Sequence, residues 1–267
     1  MTAVNAKHPE GDQMLALTPL VGLPIFQTGD ALGVVLLETL EANGIKLQDG
    51  DILVVAQKII SKIEGRKVNL AEVEVSMRAT ELAIIAEKDP RLVELILRES
   101  RDVLRVRAGV IIVEHRLGFV CANAGIDHSN VAGESSQGEE WVLLLPENPD
   151  KSARDLRDSI QRACGKSVGV LIIDSHGRAW RMGTVGVAIG VANVPAVVDL
   201  RGFPDLFGYR LRVTQLGAAD ELAAAASLVM GQANEGIPVV HVRGFPYALR
   251  ESHLDELIRR REDDLFR

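Results

Sequence analysis

The chain reads as a mixed α/β protein (α+β) with at least one mixed sheet. Three observations predict this: short β-branched runs bounded by turn residues, apolar positions at helical spacing between some of the runs, and hairpin-like connections between others. Aromatic residues make up only 4% of the 267, so the core is expected from Val, Ile, Leu and Ala.

Taken in order, residues 1–14 are polar and contain Pro9 and Gly11, as in a loose tail, and the folded body is expected from residue 17 after a flexible segment over 1–16. Residues 31–42 set Leu32, Val35, Leu36 and Leu40 on one helical face, with Asp30 as N-cap and Asn43-Gly44 as the stop. A buried strand, Ile52–Val55, follows. Residues 91–99 repeat the helical spacing with Leu92, Ile96 and Leu97 after Pro90. Val110–Val113 and Phe119–Cys121 read as strands joined by a hairpin over Glu114–Gly118, and Val142–Leu145 as another strand. The PENPD run at 146–150 is the expected lobe boundary, and Ser152-x-x-Asp155 reads as a capping box opening a helix over 152–163. Strands Val168–Ile173 and Val185–Val191 come next. A helix over 218–230 aligns Ala218, Leu222, Ala225, Ala226 and Val229, with Asp220 and Glu221 near its N-terminus. Strand Val239–Val242 and a last helix from Ser252, carrying Leu254, Leu257 and Ile258, complete the chain.

Charge and composition exclude several classes. Thirty basic against 37 acidic side chains leave a net charge of −7, which argues against a nucleic-acid or anionic-membrane binder. Cys121 and Cys164 are too few and too far apart for a disulfide framework or a metal knuckle, and suit a reducing cytoplasm. The longest uncharged stretch, Met182 to Val198, is broken by Gly183, Gly186, Gly190 and Pro195 and falls short of the roughly 20 residues of a spanning helix. Phosphate loops of the GxxxxGK[ST] and GxGxxG types are missing, as are HExxH and the GxSxG elbow.

Two segments repeat one arrangement. Phe119–Cys121 leads to Asn123 through Asn130 with Asp127 among them, and Val168–Ile173 leads to Asp174, Ser175, His176, Gly177 and Arg178. Carboxylates at strand ends are where α/β sheets place ligands, and hard oxygen donors suit Mg²⁺ or Mn²⁺ carrying phosphate. The competing reading is an Asx-turn in which each aspartate caps its own loop. Lys58 and Lys62, four apart after a buried strand, can address phosphate or form a solvated face. Met230 to Ile237 can wrap a base or ribose, or Gly231 can simply cap a helix. Gly22 to Phe26 reads as a tight turn. Arg181, Arg201 and Arg243 are candidates for acidic substrates or surface salt bridges, while His115 and His241 read as structural.

GLPIF (22–26), GDILVVAQKIISKIEGR (50–66), FVCANAGIDHSNV (119–131), LLLPENPDKSARDLR (143–157), IIDSHGRAWRMGTVGVAIG (172–190), DLRGFPDLFGYRL (199–211), ADELAAAASLVMGQANEGIP (219–238) and VVHVRG (239–244) together resemble the coenzyme F420:L-glutamate ligases, the gamma-glutamyl ligases. The resemblance covers roughly residues 17–245. It implies a two-lobed gamma-glutamyl-ligase-like fold with mixed sheets, an intertwined homodimer, and a GTP-dependent ligase that adds L-glutamate to the lactyl carboxylate of F420-0 and then extends the gamma-linked tail. It also implies two divalent cations (Mg²⁺ or Mn²⁺) and K⁺.

Carried over by residue, Leu23, Pro24, Ile25 and Phe26 match the first turn that contacts GTP, and Gln57, Lys58 and Lys62 match further nucleotide positions. Asp127 and Asp174 fall on the ligands of the first metal and Asn130 beside the GTP. Ser175 and Gln232 fall on the second-metal positions, and Met230, Gly231, Gln232, Ala233, Asn234, Glu235, Gly236 and Ile237 on the loop around the nucleotide. Ser175 replaces a Thr of some relatives and keeps the hydroxyl. Gln232 replaces a Glu of others and offers a weaker, neutral donor. Gln57-Lys58 replaces a small hydroxyl pair. The nitroreductase-like domain of certain bacterial relatives is not expected in this chain. In the implied chemistry Lys62 and Arg178 balance phosphate charge while Asp127 and Asp174 hold the metals. A metal-dependent nucleotide phosphohydrolase and a non-catalytic GTP-binding module are the rival readings.

Overall fold

The computed structural model describes residues 14–128, 131 and 140–265. Along the chain run β1 (Ala16–Pro19), α1 (Leu32–Ala42), β2 (Ile52–Ala56), α2 (Gln57–Ile63), β3 (Lys67–Asn69), α3 (Met77–Ala86), α4 (Pro90–Arg98), β4 (Ser100–Arg107), β5 (Val110–His115), β6 (Val120–Ala122), β7 (Trp141–Leu143), α5 (Pro149–Cys164), β8 (Gly169–Arg178), β9 (Arg181–Ala192), β10 (Val198–Asp199), β11 (Gln215–Leu216), α6 (Ala218–Met230) and β12 (Val239–Arg243). The expected mixed α/β architecture is present, with four sheets among the described residues.

The main sheet has the order β1-β12-β2-β8-β9, and only β2 and β8 run parallel. Both faces of this pair are covered, which is why β2 and the first half of β8 are uninterrupted apolar runs. Alternation divides their side chains. Leu53, Val55, Val170 and Ile172 meet Leu36 and Leu40 of α1 and Leu156 and Ile160 of α5. Ile52, Val54, Leu171 and Ile173 meet Leu222, Ala223 and Ala226 of α6 on the other face. The alanines of α6 permit a close approach to β9: a Cβ on Gly186 would stand 2.5 Å from the Ala223 carbonyl oxygen. A third cluster joins α3 and α4 to the β4-β5-β6 hairpin sheet.

The hairpin at Glu114–Gly118 forms as expected, with the His115 N–H donating to the Phe119 carbonyl and Gly118 at a φ of +99°. Four expectations are corrected. Asp30 does not cap α1; its carboxylate accepts the Gln27 N–H, and Ala31 takes the cap position without a side-chain bond. Helix α5 starts earlier than 152 because Pro149 supplies a preset first-turn φ and Asn148 caps it by accepting the Lys151 N–H; the Ser152 hydroxyl turns to Glu64 and to the Asn148 carbonyl. The segment from Ser252 forms only the short 3₁₀ turns Leu254–Glu256 and Arg261–Asp263. Asp150 takes the Leu254 N–H and Ser252 is tied to Val194 and Ala196, so the groups that would open a helix are already engaged and the apolar spacing serves anchoring. Finally, Asp174 does not end its strand, since β8 continues to Arg178. Helices α2 and α3 and strands β1, β3 and β4 were not expected from the pattern. No described helix is long and apolar enough to cross a membrane.

Candidate active site

Strand β2 stops at Ala56, whose register partner is Ile173, so Asp174 is the first β8 residue beyond the end of its parallel neighbour. Ligands collect at this edge of α/β sheets because side chains leave the sheet there with no strand beside them. A β-bulge directly precedes Asp174: Ile172 pairs with Gly190 and Ile173 with Ala188, leaving Ile189 unpaired. The bulge frees the Ala188 N–H, which the Asp220 carboxylate accepts at 2.9 Å.

A cleft of about 440 Å³ opens here. Its walls are Leu23–Phe26, the α2 residues Gln57, Lys58 and Lys62, the β8 residues Asp174 and Ser175, and the loop Met230–Ile237. Segments separated by more than a hundred positions therefore share one surface. Helix α2 begins with no connecting loop after β2, buries Gln57, Ile59, Ile60 and Ser61, and turns the i, i+4 pair Lys58 and Lys62 to the cleft. The solvated-face alternative for these lysines does not describe them.

Asp127 is delivered from the third cluster. Its backbone forms an isolated antiparallel bridge with Leu143, exchanging bonds of 3.0 and 2.9 Å. Just before it, Asn123, Ala124 and Gly125 all have positive φ, and a Cβ on Gly125 would lie 2.7 Å from Leu145 Cδ1. Two left-handed non-glycine residues in succession cost on the order of 1 kcal/mol each and mark a loop held by its surroundings. The Asp127 carboxylate reaches away from its own loop. Gln57 Nε2 donates to Oδ2 at 2.7 Å, and Lys58 Nζ stands 3.5 Å from Oδ1. Gln57 is itself oriented by Ser61, whose hydroxyl donates to Oε1 at 2.9 Å. Asp174 caps no turn, for its Oδ2 meets His176 Nε2 at 3.0 Å. The Asx-turn alternative fails at Asp174, and the backbone that would close such a turn at Asp127 lies outside the described residues.

Electrostatics couple the two. Burial pushes the Asp127 carboxyl up to about 6, the Lys58 ammonium opposes this, and the Asp174 charge adds to the rise. Burial, then the Lys58 and Lys67 charges, holds the Lys62 ammonium below its ordinary value. The Lys58 and Lys62 ammonium groups of the cleft thus repel each other, and the Asp127 carboxylate feels the Asp174 charge. Beside Asp174, Ser175 Oγ donates to Gln232 Oε1 at 2.9 Å, and Gln232 Nε2 donates to Ser227 Oγ at 2.9 Å. Asp174, Ser175 and Gln232 bring a carboxylate, a hydroxyl and an amide carbonyl to the cleft wall, and Asp127 is a second carboxylate that feels the Asp174 charge; such oxygen donors are of the kind that suits Mg²⁺ or Mn²⁺. The mutual repulsion of the carboxylates, which a cation would relieve, fits such an ion. Among the described residues no group of three His, Cys, Asp or Glu is placed to hold a metal, so the hydroxyl and amide are needed.

In the Met230–Ile237 loop, Gly231 does terminate α6, and the Glu235 carboxylate folds back onto the Ala233 N–H at 2.8 Å. The loop's own bonds therefore shape that wall. At the cleft mouth Phe26 is buried while Ile25 is 82% exposed.

Several expected residues lie elsewhere. Arg178 is at the β8–β9 tip, its Nη2 3.4 Å from the Met182 carbonyl, about 13 Å along the strand from Asp174. Arg181 opens β9 at the same exposed tip. Arg201 is clamped on Asp199, and Arg243 grips Asp51 through two bonds of 2.9 and 2.7 Å, so neither guanidinium faces the cleft. Asn130 lies outside the described residues. Sequence reasoning missed Ser61, Ser227 and His176. The signals were present: Ser61 follows Gln57 by one helical turn, and His176 follows Asp174 by two residues and so shares its face of a strand.

Comparison with known proteins identifies relatives along most of the chain. The family model for F420-0:Gamma-glutamyl ligase matches residues 21–244. The coenzyme F420:L-glutamate ligase of Methanothermobacter thermautotrophicus is 44% identical over 255 residues, covering 95% of this chain and 99% of the relative. That of Methanocaldococcus jannaschii is 43% identical over 92% of this chain and 94% of its own, and that of Methanopyrus kandleri is 48% identical over 78% and 80%.

Proposed function

The chain belongs to the F420-0:gamma-glutamyl ligase family, and from that premise we propose that it forms an amide between L-glutamate and the lactyl carboxylate of F420-0 at the expense of GTP, then adds gamma-linked glutamate. The observation that carries the reading is the cleft at the carboxyl end of β2, beside the middle of β8, where Lys58 and Lys62 line the same space as Asp174 while Asp127 stands 3.5 Å from the Lys58 ammonium.

A carboxylate is a poor electrophile and must be activated before an amine can attack it. In the proposed course a lactyl carboxylate oxygen attacks the γ-phosphorus, the β–γ bridging P–O bond breaks, and GDP departs. The glutamate amine then attacks the acyl phosphate carbonyl; phosphate leaves and the amine gives up a proton. Phosphoryl transfer asks mainly for positioning and charge neutralisation. Lys58 and Lys62 supply positive charge, and a phosphate beside Lys62 offsets the repulsion of its lysine neighbours. Asp127, Asp174, Ser175 and Gln232 would hold the divalent cations, which supply charge neutralisation at the phosphates when bound. Gln57, locked by Ser61, fixes the Asp127 carboxylate. Leu23–Phe26 and Met230–Ile237 enclose the nucleotide. K⁺ and an intertwined homodimer belong to the same reading. Its support for the dimer is the near-complete exposure of Met182, Leu206 and Phe207 (95%, 98% and 95%), apolar side chains that a second copy would cover.

The test incubates the purified chain with F420-0, L-glutamate, GTP, Mg²⁺ and K⁺ and reads product mass. A gain of one glutamyl unit with glutamate-dependent phosphate release is expected. Phosphate release indifferent to glutamate would make it a phosphohydrolase, and GTP binding without turnover a binding module.

A further inference from the structure

We propose that His176 is a positioning residue for Asp174, and that the rings of Phe119 and His115 lock it in that task. The inference rests on the reading of Asp174 as a cation ligand. Residues 174 and 176 of β8 are two apart, so their side chains leave the same face of the strand. The imidazole Nε2 meets Asp174 Oδ2 at 3.0 Å, with both side chains close to nine-tenths buried. An ionised carboxylate only accepts, so this contact requires the hydrogen on Nε2. One carboxylate oxygen is thereby committed, and the other is left to the cleft.

The imidazole is oriented from outside its own strand. Phe119 packs on it with centroids 5.2 Å apart and planes tilted by 51°. Phe119 is stacked in turn on the fully buried His115, at 5.1 Å and 6°. His115 is fixed by the hairpin itself, its Nδ1 accepting the Leu117 N–H at 3.0 Å. The β5–β6 turn thus carries a ring column ending on the carboxylate. Groups that hydrogen-bond a metal-ligating carboxylate are worth about 10- to 100-fold in metal affinity.

Mn²⁺ binding to the nucleotide-free full chain, followed by the electron paramagnetic resonance of free Mn²⁺, tests the role without depending on turnover. His176→Phe keeps a ring against Phe119 and deletes the donor; His176→Gln keeps an N–H at the corresponding reach. We expect His176→Phe to weaken Mn²⁺ binding about tenfold and to lower kcat for glutamate-dependent GTP consumption, with His176→Gln recovering most of both. Phe119→Leu, should His176→Phe fail to fold, weakens Mn²⁺ binding by a smaller factor. Wild-type Mn²⁺ affinity in both His176→Phe and Phe119→Leu, or a His176→Gln as weak as His176→Phe, overturns the proposal. A wild-type chain that fails to ligate glutamate while the His176→Phe and His176→Gln affinities still differ would sink the ligase reading and uphold this one.

Discussion

Strand β2 has a largely buried carboxylate at either end, and the protein treats the two in opposite ways. At its start, Asp51 is 1% exposed. Burial alone would raise its carboxyl, but Arg243, His241 and the Gln48 N–H together hold it below the ordinary range. At its far end, Asp127 receives one amide and one ammonium at 3.5 Å, faces the Asp174 charge, and is pushed up to about 6. The difference separates structure from function. Asp51 is compensated by a guanidinium, an imidazole and a backbone N–H, whereas Asp127 has one ammonium and a neutral amide, the arrangement that the proposed ligand role would require of it.

The contrast predicts different consequences for the same kind of substitution. The largest effect belongs to Asp127→Asn. Glutamate-dependent GTP turnover should fall on the order of 10³-fold, since charge at the phosphates is a term of several kcal/mol, while circular dichroism stays that of the wild type. A rate within tenfold of the wild type would place Asp127 with Asp51 as a structural group. Next comes Asp51→Ala, which strands Arg243 and His241 around a vacated site; urea unfolding should show a loss of about 3 kcal/mol with kcat of the folded fraction unchanged. A large fall in kcat at undiminished stability would contradict it.

The last prediction concerns the sign of a pH dependence. The Asp127 carboxyl titrates near 6 when folded against an ordinary 3.8. Between those values the folded state binds the extra proton, so this group's contribution to stability falls as pH rises through the window, by up to about 3 kcal/mol. In cation-free buffer, Asp127→Asn should therefore melt above the wild type at pH 8 and level with it at pH 4. Equal melting points at both pH values would show that the carboxylate is as well compensated as Asp51.

The fold and the site were legible to different depths. Strands β2, β8 and β12 and helix α6 could be read because their apolar periods report burial directly, and the segments that line the cleft were each marked by glycines, amides or lysines after an apolar run. Helix α2 was not legible as a helix, since its seven residues are too few to show a period and follow β2 without a turn. The tail from Ser252 shows the converse: helical spacing without a helix, because Asp150 and Val194 claim the backbone and hydroxyl groups that begin it.

What the amino-acid order determined by itself was the alternation of strands and helices, the mainly aliphatic core, and a short inventory of oxygen and ammonium side chains near the ends of strands. Tertiary structure alone decided which of them meet. Gln57 binds an aspartate 70 positions away, Arg243 is spent on an aspartate 192 positions away, and Asp30 turns back three residues instead of capping its helix. Burial period is a local property of the chain, whereas a polar side chain takes the nearest donor or acceptor in space, and that neighbour exists only once the strands have chosen their partners.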